Sequence, residues 1–381
     1  MMRPMKLAGE QLMFGQGCLA HLTTLKGKRA FIVSSRSALE KSGTIAKMNE
    51  YLGEAGIESR VYTSVEPDPS FATVYAGAQQ MRDYEPDWII AVGGGSAMDA
   101  AKAMWIYYEH PELNTLEQIV PPNGIPKLRN KARLVCIPST SGSASEVSRS
   151  IVITDEKTGF KYGIGNMELM PDIAICDPEV TVTMPKSLTA HTGMDALTHA
   201  LEAYVSQRAN YLSDILALAA AKDIFAYIKR ACDDGTDMEA RDYMLSASMT
   251  AGLAFTNVSL GIVHSMAHTL GSYFKIPHGL GDAIILPYVI AFNSREVNAK
   301  QKYDALAQMI GAESLDQAVR NLNESVGIAS CFKDMIDKDK YDAMLEDMTD
   351  MAMADGCTKT NPVVPTRAEQ IELFKTIYKG V

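Results

Sequence analysis

Residues 87–102 read DWIIAVGGGSAMDAAK, and this stretch decides the fold. The apolar run at 87–92 predicts a buried β-strand, the glycines after it break the strand, and residues 98–108 have the pattern of a helix. Earlier in the chain, a strand-like run at 30–35 precedes a helical stretch at 38–54. Strands that alternate with helices of this length predict a parallel sheet with helices on both faces.

The second half of the chain has a different pattern. From residue 185 onward long amphipathic stretches follow one another, and strand-like runs are almost absent. Pro185, followed by Lys186 and Ser187, suits the start of a helix. We therefore predict an α/β domain over residues 1–184 and an all-α domain over residues 185–381. A hairpin signal at 150–163, with its turn at 155–159, lies near the end of the first domain.

Composition excludes several classes of function. The 381 residues are 47% apolar and carry a net charge of −10, which is unfavourable for binding nucleic acid or an anionic membrane. The six cysteines form no C-x-x-C pair, so we interpret them as free thiols in a reducing compartment. The first fifteen residues lack the pattern of a signal peptide, and no apolar run reaches the length of a membrane helix. We expect a cytoplasmic protein.

Two turns rich in small residues are candidates for binding a nucleotide. Gly93, Gly94, Gly95 and Ser96 lie between the strand and the helix, where backbone N–H groups and the helix N-terminus favour a phosphate. A second turn at 138–146 (PSTSGSASE) follows another predicted strand, RLVCIP. A tight structural turn and an ST-turn are the alternatives. Asp99 suits a helix cap, and it suits a bond to ribose or another hydrogen-bonding role equally well.

The strongest constellation lies in the helical half. Asp195 and His199 are four residues apart and share one helix face, and His264 and His268 repeat that spacing. His278 follows ten residues later. Any one of these histidines is more typical of a packed core residue, but one carboxylate with several imidazoles is the set expected for Fe²⁺ or Zn²⁺. Spacing alone leaves open whether His264, His268 or both bind the ion.

These segments resemble the iron-containing alcohol dehydrogenase family. The resemblance covers Gly-Gly-Gly-Ser-x-x-Asp-x-Ala-Lys at 93–102, the serine-rich turn at 140–146, the GMDALTHA segment at 193–200 and the run at 261–278. It implies an N-terminal dinucleotide-binding α/β domain and a C-terminal all-α domain, the dehydroquinate synthase-like architecture. Residues 104–112 also resemble the alcohol dehydrogenase half of bifunctional aldehyde/alcohol dehydrogenases.

The resemblance also implies roles for individual residues. It places the metal ligands at Asp195, His199, His264 and His278, and makes His268 a catalytic group beside the nicotinamide. The implied cofactor contacts are Ser35, Gly94, Gly95, Ser96, Asp99, Ser139, Thr140, Ser143 and Lys161. Where many NAD-using members carry an Asp after the first strand, this chain has Ser35, with Arg36 next to it. Loss of that carboxylate favours NADP(H) over NAD(H), because a 2′-phosphate is no longer repelled.

The implied reaction is hydride transfer between NAD(P)(H) and a short primary alcohol or its aldehyde. The implied metal is Fe²⁺, with Zn²⁺ as a possible substitute, and the implied assembly is a homodimer. A zinc-type polyol dehydrogenase and a lyase on the same architecture are the nearest alternatives. A metal-dependent hydrolase with a purely structural glycine turn is the alternative from another class.

Overall fold

A computed structural model describes residues 5–35, 42–156 and 161–380. The chain divides into two compact units, residues 1–184 and residues 185–381. Each unit has its own architecture, and each is described separately below.

The first unit contains a six-stranded parallel sheet. Its strands are β1 Gln11–Phe14, β2 Arg29–Ser35, β3 Glu58–Val65, β4 Trp88–Gly93, β5 Arg133–Pro138 and β8 Ile173–Cys176. They lie in the order β1-β8-β5-β4-β2-β3. The helices connecting them are α1 Thr44–Glu54, α2 Phe71–Tyr84 and α3 Gly95–Glu109.

The side chains of β4 show why this sheet lies at the centre of the unit. Ile89 and Ala91 belong to a core cluster that includes residues of α2 and α3. Ile90 and Val92 belong to a second cluster that includes residues of α1. Successive side chains of a strand point to opposite faces, so both faces of the sheet are buried under helices. This arrangement confirms the prediction made from the apolar run at 87–92.

A separate hairpin is formed by β6 Ser150–Thr154 and β7 Lys161–Gly165, which pair antiparallel. This pairing confirms the predicted hairpin. Residues 157–160, which include the last three residues of the predicted turn, lie outside the described residues. The hairpin is joined to the segment before α2, because Thr154 N donates to Pro69 O at 2.9 Å.

The second unit is built from helices in its described part. They are α4 Lys186–Val205, α5 Tyr211–Asp233, α6 Met238–Val258, α7 Ile262–Phe274, α8 His278–Asn293, α9 Val297–Met309, α10 Leu315–Ser325, α11 Lys338–Ala354 and α12 Arg367–Lys379. The predicted fold class, an α/β domain followed by an all-α domain, is confirmed.

Helix α4 lies in the interior of this unit. It is buried almost continuously from Gly193 to Val205 and packs against α5, α6 and α8. Of the described helices, none alone combines the length and hydropathy needed to cross a membrane. Helices α6 and α7 reach that hydropathy only as a pair, and they are bent by 102° where they meet.

Candidate functional site

The two turns predicted to bind the cofactor lie side by side. Strands β4 and β5 are neighbours with Gly93 opposite Pro138, and Ser139 N donates to Gly93 O at 2.8 Å. Gly94, Gly95 and Ser96 therefore share the carboxyl edge of the sheet with the residues that follow β5, the predicted contacts Ser139, Thr140 and Ser143. Ligands of open α/β sheets bind at that edge.

The glycines allow close approach between these turns. A Cβ atom at Gly95 would lie 3.0 Å from Ser143 Oγ, and one at Gly94 would lie 3.5 Å from Thr140 Oγ1. Gly93 has φ +154°, and a Cβ there would meet the Ala97 side chain at 2.6 Å. Helix α3 begins at Gly95 with no side chain capping its N-terminus. Its exposed backbone N–H groups suit a phosphate.

Asp99 does not cap α3, so the capping interpretation was wrong. Its Oδ1 accepts from Ser145 Oγ at 2.7 Å and its Oδ2 accepts from Val152 N at 2.9 Å. Lys102, which is fully buried, donates to Ser145 O at 2.7 Å and Ser148 O at 2.9 Å. Together these two side chains join the serine-rich turn and the hairpin to α3. Sequence analysis did not assign a role to Lys102.

Two predicted cofactor contacts lie on other elements of this unit. Ser35 is the last residue of β2, whose Ser34 pairs with Val92 of β4. Arg36, the residue after Ser35, lies outside the described residues. Lys161 begins β7, and its Nζ lies 2.8 Å from Asp68 Oδ2. The backbone N–H of Asp68 donates to Ser96 Oγ at 3.4 Å, so Lys161 and the glycine turn share a neighbour.

In the helical unit, the predicted metal ligands come together from three helices. Helix α4 carries Asp195 and His199, α7 carries His264, and His278 is the first residue of α8. The Nε2 atoms of the three histidines lie 3.6, 3.7 and 3.8 Å from Asp195 Oδ1. Donor atoms that share one ion at roughly 2.0–2.2 Å are separated by about 3 to 4 Å. These residues therefore have the spacing of a metal site.

Buried polar atoms at this place test whether an ion fits. Asp195 Oδ1 and His264 Nε2 are buried and have no hydrogen-bond partner in the described part of the chain. Leaving such atoms unpaired is costly unless a cation binds them. The rings of His199 and His264 stack at 4.6 Å between centroids, and the ring of Phe255 stacks on His199 at 4.4 Å. The donor set fits a divalent ion such as Fe²⁺ or Zn²⁺.

Glu202, one turn beyond His199 on α4, orients His264. Its Oε2 lies 2.7 Å from His264 Nδ1, and its two oxygens accept from Gly261 N at 2.8 Å and Val263 N at 2.7 Å. This contact holds the proton of the imidazole on Nδ1 and leaves the Nε2 lone pair directed towards Asp195. Burial raises the pKa of Glu202 to about 7, against the effect of those backbone hydrogen bonds. Sequence analysis did not assign a role to Glu202.

Two of the predicted ligands, His264 and His278, favour the neutral form that binds metals. Burial, and after it the neighbouring His199 and His268, lower the pKa of His264 well below its usual value. Desolvation lowers the pKa of His278 against the opposing effect of Asp195, although 43% of its side chain is exposed. Neutral imidazole is the ligating form, so the site does not need to release protons from these histidines at neutral pH.

His268 lies beside this cluster with a partner of its own. Its ring stacks on that of His278 at 5.3 Å, and its Nδ1 lies 2.8 Å from Asp355 Oδ2. The pKa of Asp355 is lowered to about 2. Burial alone would raise it, but hydrogen bonding to His268, the charge of His268 and the Cys357 N–H outweigh that effect. An ionised carboxylate only accepts hydrogen bonds, so His268 Nδ1 donates to it and Nε2 is the ring nitrogen left to exchange a proton.

The structure adds one carboxylate to the cluster that sequence analysis did not assign. Single donor atoms of Asp195, His264, His278 and Asp282 all lie within 4.8 Å of one another. His199 is outside this group, although it lies close to Asp195. Asp282 follows His278 by four residues, the spacing that marked the other pairs, and that signal was available in the sequence.

Gly279 sets the approach of α8 to α4. A Cβ atom at this position would lie 2.2 Å from the backbone oxygen of His191 and 3.2 Å from Asp195 Cβ. Contacts this short with a backbone atom cannot be relieved by rotating a side chain. The absence of a side chain at residue 279 thus lets His278 reach Asp195.

Two family models match the two units of the chain separately. The family model for iron-containing alcohol dehydrogenase matches residues 9–178, and the model for the C-terminal part of the Fe-containing alcohol dehydrogenase family matches residues 189–378. The chain is 44% identical to an NADPH-dependent butanol dehydrogenase of Clostridium saccharobutylicum, over 96% of each chain. It is 37% identical to aldehyde-alcohol dehydrogenase 2 of Entamoeba histolytica, of which it spans only 46%.

Among solved structures, the iron-containing alcohol dehydrogenase of Thermococcus thioreducens is similar over 99% of this chain and 100% of its own. Its TM-score is 0.93 and its sequence identity is 32%. These matches do not favour the polyol dehydrogenase alternative. The chain belongs to the iron-containing alcohol dehydrogenase family and is a metal-dependent alcohol dehydrogenase.

Proposed function

We propose that the protein interconverts short primary alcohols and their aldehydes with NADP(H), using a divalent ion held by Asp195, His199, His264 and His278. The observation that carries the proposal is the convergence of three imidazole Nε2 atoms, each 3.6 to 3.8 Å from Asp195 Oδ1. We propose Fe²⁺ as the natural ion and Zn²⁺ as a substitute, since similar ligand sets hold both. When bound, the ion supplies a Lewis acid that favours the ionised alcohol and polarises the aldehyde.

The chain's own residues supply binding and proton transfer. For the phosphates of the cofactor we propose Gly94, Gly95, Ser96 and the start of α3, because backbone N–H groups and the helix dipole attract an anion. We assign the further cofactor contacts to Ser35, Asp99, Ser139, Thr140, Ser143 and Lys161. For Asp99 the role is indirect, because both of its oxygens already accept hydrogen bonds from within the domain.

We assign the proton transfer to His268. Aldehyde reduction adds a hydride to the carbonyl carbon and a proton to the oxygen, so a proton donor is needed once per turnover. His268 keeps Nε2 available while Nδ1 donates to Asp355, and its side chain is 33% exposed, so that it can exchange protons with water. Asp355 acts as its positioning residue.

A preference for NADPH follows from residue 35. A serine there carries no charge to repel the 2′-phosphate of NADPH. The butanol dehydrogenase relative, which is named as NADPH-dependent, supports the same cofactor preference. Butanal is accordingly the first substrate to test.

We also propose a cytoplasmic homodimer. None of the six cysteines, all of which lie in the described ranges, forms a disulfide, which suits a reducing compartment. Strand β1 lies at one edge of the sheet, and its Phe14 is 62% exposed. An edge strand with an exposed aromatic side chain favours pairing with a second copy. Light scattering with size-exclusion chromatography measures the assembly.

The experiment that tests the function uses protein stripped of metal with a chelator. The protein is reloaded without oxygen with Fe²⁺ or Zn²⁺, and oxidation of NADPH or NADH is followed with butanal. Activity that returns only with metal, and is higher with NADPH, supports the proposal. If no reloaded form oxidises either cofactor across a panel of short aldehydes and ketones, the proposal is wrong.

A further inference from the structure

Asp282 is a buried carboxylate whose ion-pair partner in the described ranges is a histidine, His278. Its exposure is 0%, and neither Oδ1 nor Oδ2 has a hydrogen-bond partner in the ranges that the structure describes. A carboxylate in this position is destabilising on its own, because water solvates the charge far better than an apolar interior does. A bound cation would offset the cost of ionising it.

The position of Asp282 places it beside the predicted metal ligands. Asp282 Oδ2 lies 3.3 Å from Nε2 of His278, and a donor atom of Asp282 lies within 4.8 Å of donor atoms of Asp195 and His264. The atoms that lack partners here, Asp195 Oδ1, His264 Nε2 and both Asp282 oxygens, come from three different helices. Unpaired electron-pair donors of three residues that lie within 4.8 Å of one another are typical of a cation site.

Charge supports the same conclusion. In the described chain, the ion pairs of Asp195 and Asp282 involve only histidines, and no lysine or arginine balances the two carboxylates. Two carboxylates balance one divalent cation, whereas Asp195 alone leaves it with a net positive charge. Buried charges are paired or coordinate metals, and this pair lacks any other counterion.

We propose that Asp282 is a fifth protein donor to the divalent ion, in addition to Asp195, His199, His264 and His278. This inference rests on the proposed function, because it requires that the cluster holds a metal. Five donors suit an ion that prefers more than four ligands, such as Fe²⁺ or its spectroscopic substitute Co²⁺. Zn²⁺ is most often four-coordinate, so it gains less from the extra carboxylate.

The test compares Asp282→Asn with the wild-type protein, using Co²⁺ and Zn²⁺ in competition with a chelator. We expect the variant to lose about 10- to 100-fold in Co²⁺ affinity, in the range measured when groups around a metal are removed, and to lose less for Zn²⁺. The visible absorption of bound Co²⁺ should also become more intense in the variant, because a lower coordination number strengthens these bands. Unchanged affinity and an unchanged spectrum would overturn the inference.

Glu146→Gln is the matched control. Glu146 is also buried, and both of its carboxylate oxygens lack a hydrogen-bond partner, but it lies in the first unit. Its replacement should leave Co²⁺ affinity at the wild-type value. An equal loss in the control would show that removal of any buried carboxylate weakens the site, and would contradict a role specific to Asp282.

Thermal unfolding separates a metal donor from a structural residue. Removing an unpaired buried charge should leave metal-free Asp282→Asn at least as stable as metal-free wild type, while its gain in Tm on adding Co²⁺ becomes smaller. A structural role predicts the reverse, a variant destabilised without metal or unable to fold. His264→Ala separates a failure of the metal centre from a failure of the Asp282 assignment. If wild type binds Co²⁺ and His264→Ala does not, the metal centre stands and Asp282 is judged by its own variant. If wild type binds no Co²⁺, both proposals fail.

Discussion

His268 and Asp355 are 87 residues apart in sequence, yet His268 Nδ1 lies 2.8 Å from Asp355 Oδ2. The carboxylate receives a second hydrogen bond from the backbone N–H of Cys357, at 2.8 Å to Oδ1. Asp355 is therefore held in place from the loop after α11 while it fixes the ring of His268. This pair joins a helix of the metal cluster to a distant part of the same unit.

Asp355→Asn should impair turnover more than it impairs the binding of NADPH. The substitution removes the charged acceptor that keeps the His268 proton on Nδ1, and general acid–base catalysis contributes roughly 10²- to 10⁴-fold to rates. We expect kcat for butanal reduction to fall at least about 10-fold, with a displaced pH profile of kcat and little change in KM for NADPH. The double variant with His268→Gln should lose little more, because both changes act on one unit. Additive losses would show that Asp355 acts independently of His268.

The same carboxylate makes a pH-dependent contribution to stability. Its pKa is lowered from 3.8 to about 2 in the folded chain, so the stabilisation is complete above pH 3.8 and is lost as the pH falls through about 2. The shift corresponds to about 2 kcal/mol. Asp355→Asn should therefore be less stable than wild type at pH 6, and the deficit should shrink as urea unfolding is repeated towards pH 3. Asp347→Asn, an exposed carboxylate on α11, should show no such deficit. A deficit of constant size at every pH would contradict the assignment.

Removing a metal ligand should abolish turnover and spare the cofactor site. Asp195→Ala and His264→Ala each remove one of the converging donor atoms, and the remaining set binds the ion far less tightly. We expect metal content to fall to background and NADPH affinity, measured by fluorescence titration, to stay near the wild-type value. His21→Gln, in the first unit, is the control and should retain its metal. Metal-dependent activity in either ligand variant would refute the ligand assignment.

Ser35→Asp should reverse the cofactor preference. A carboxylate at the end of β2 repels the 2′-phosphate of NADPH and can accept a hydrogen bond from the ribose hydroxyl of NADH. We expect KM for NADPH to rise about 10-fold or more, in line with the cost of placing like charges together, while KM for NADH falls. Ser35→Asn, of the same shape without the charge, is the control. If both variants keep the wild-type ratio, residue 35 does not set the preference.

Glu202→Gln should loosen the metal without removing a ligand. The amide keeps the size of the side chain but weakens the acceptor for His264 Nδ1, which lies 2.7 Å from Oε2. Partners of metal-bound histidines contribute about 10- to 100-fold to metal affinity, so Co²⁺ should bind more weakly by that factor. Chelator competition measures it, with Glu146→Gln as the control outside the helical unit. An unchanged affinity would show that the tautomer of His264 does not depend on Glu202.

Much of the fold followed from local patterns. The apolar run before Gly93 predicted a buried central strand, and the change of pattern at residue 185 predicted helices, because periodicity reports which faces are buried. Residues whose partners lie nearby in sequence were found in the same way. Asp195 and His199 share a helix face, as do His264 and His268.

The supporting groups could not be found from local patterns. Asp355 reaches His268 across 87 residues, and Lys102 reaches Ser145 across 43, so only the fold brings these partners together. The sequence left the role of Asp99 open between a helix cap and a hydrogen bond, because its neighbours in space, Ser145 and Val152, were unknown. Asp282 was the exception, since its four-residue spacing from His278 was already visible.

The lack of a side chain at Gly279 has a consequence for how related sequences in other genomes are classified. Since a methyl group there would collide with the backbone oxygen of His191, a chain could carry every coordinating side chain and still fail to close its helices around the ion. A survey that scores only the coordinating residues would accept such a chain as an active enzyme. Inactive homologues should thus be sought among sequences that keep every metal ligand but have another residue in place of the glycine after the last histidine.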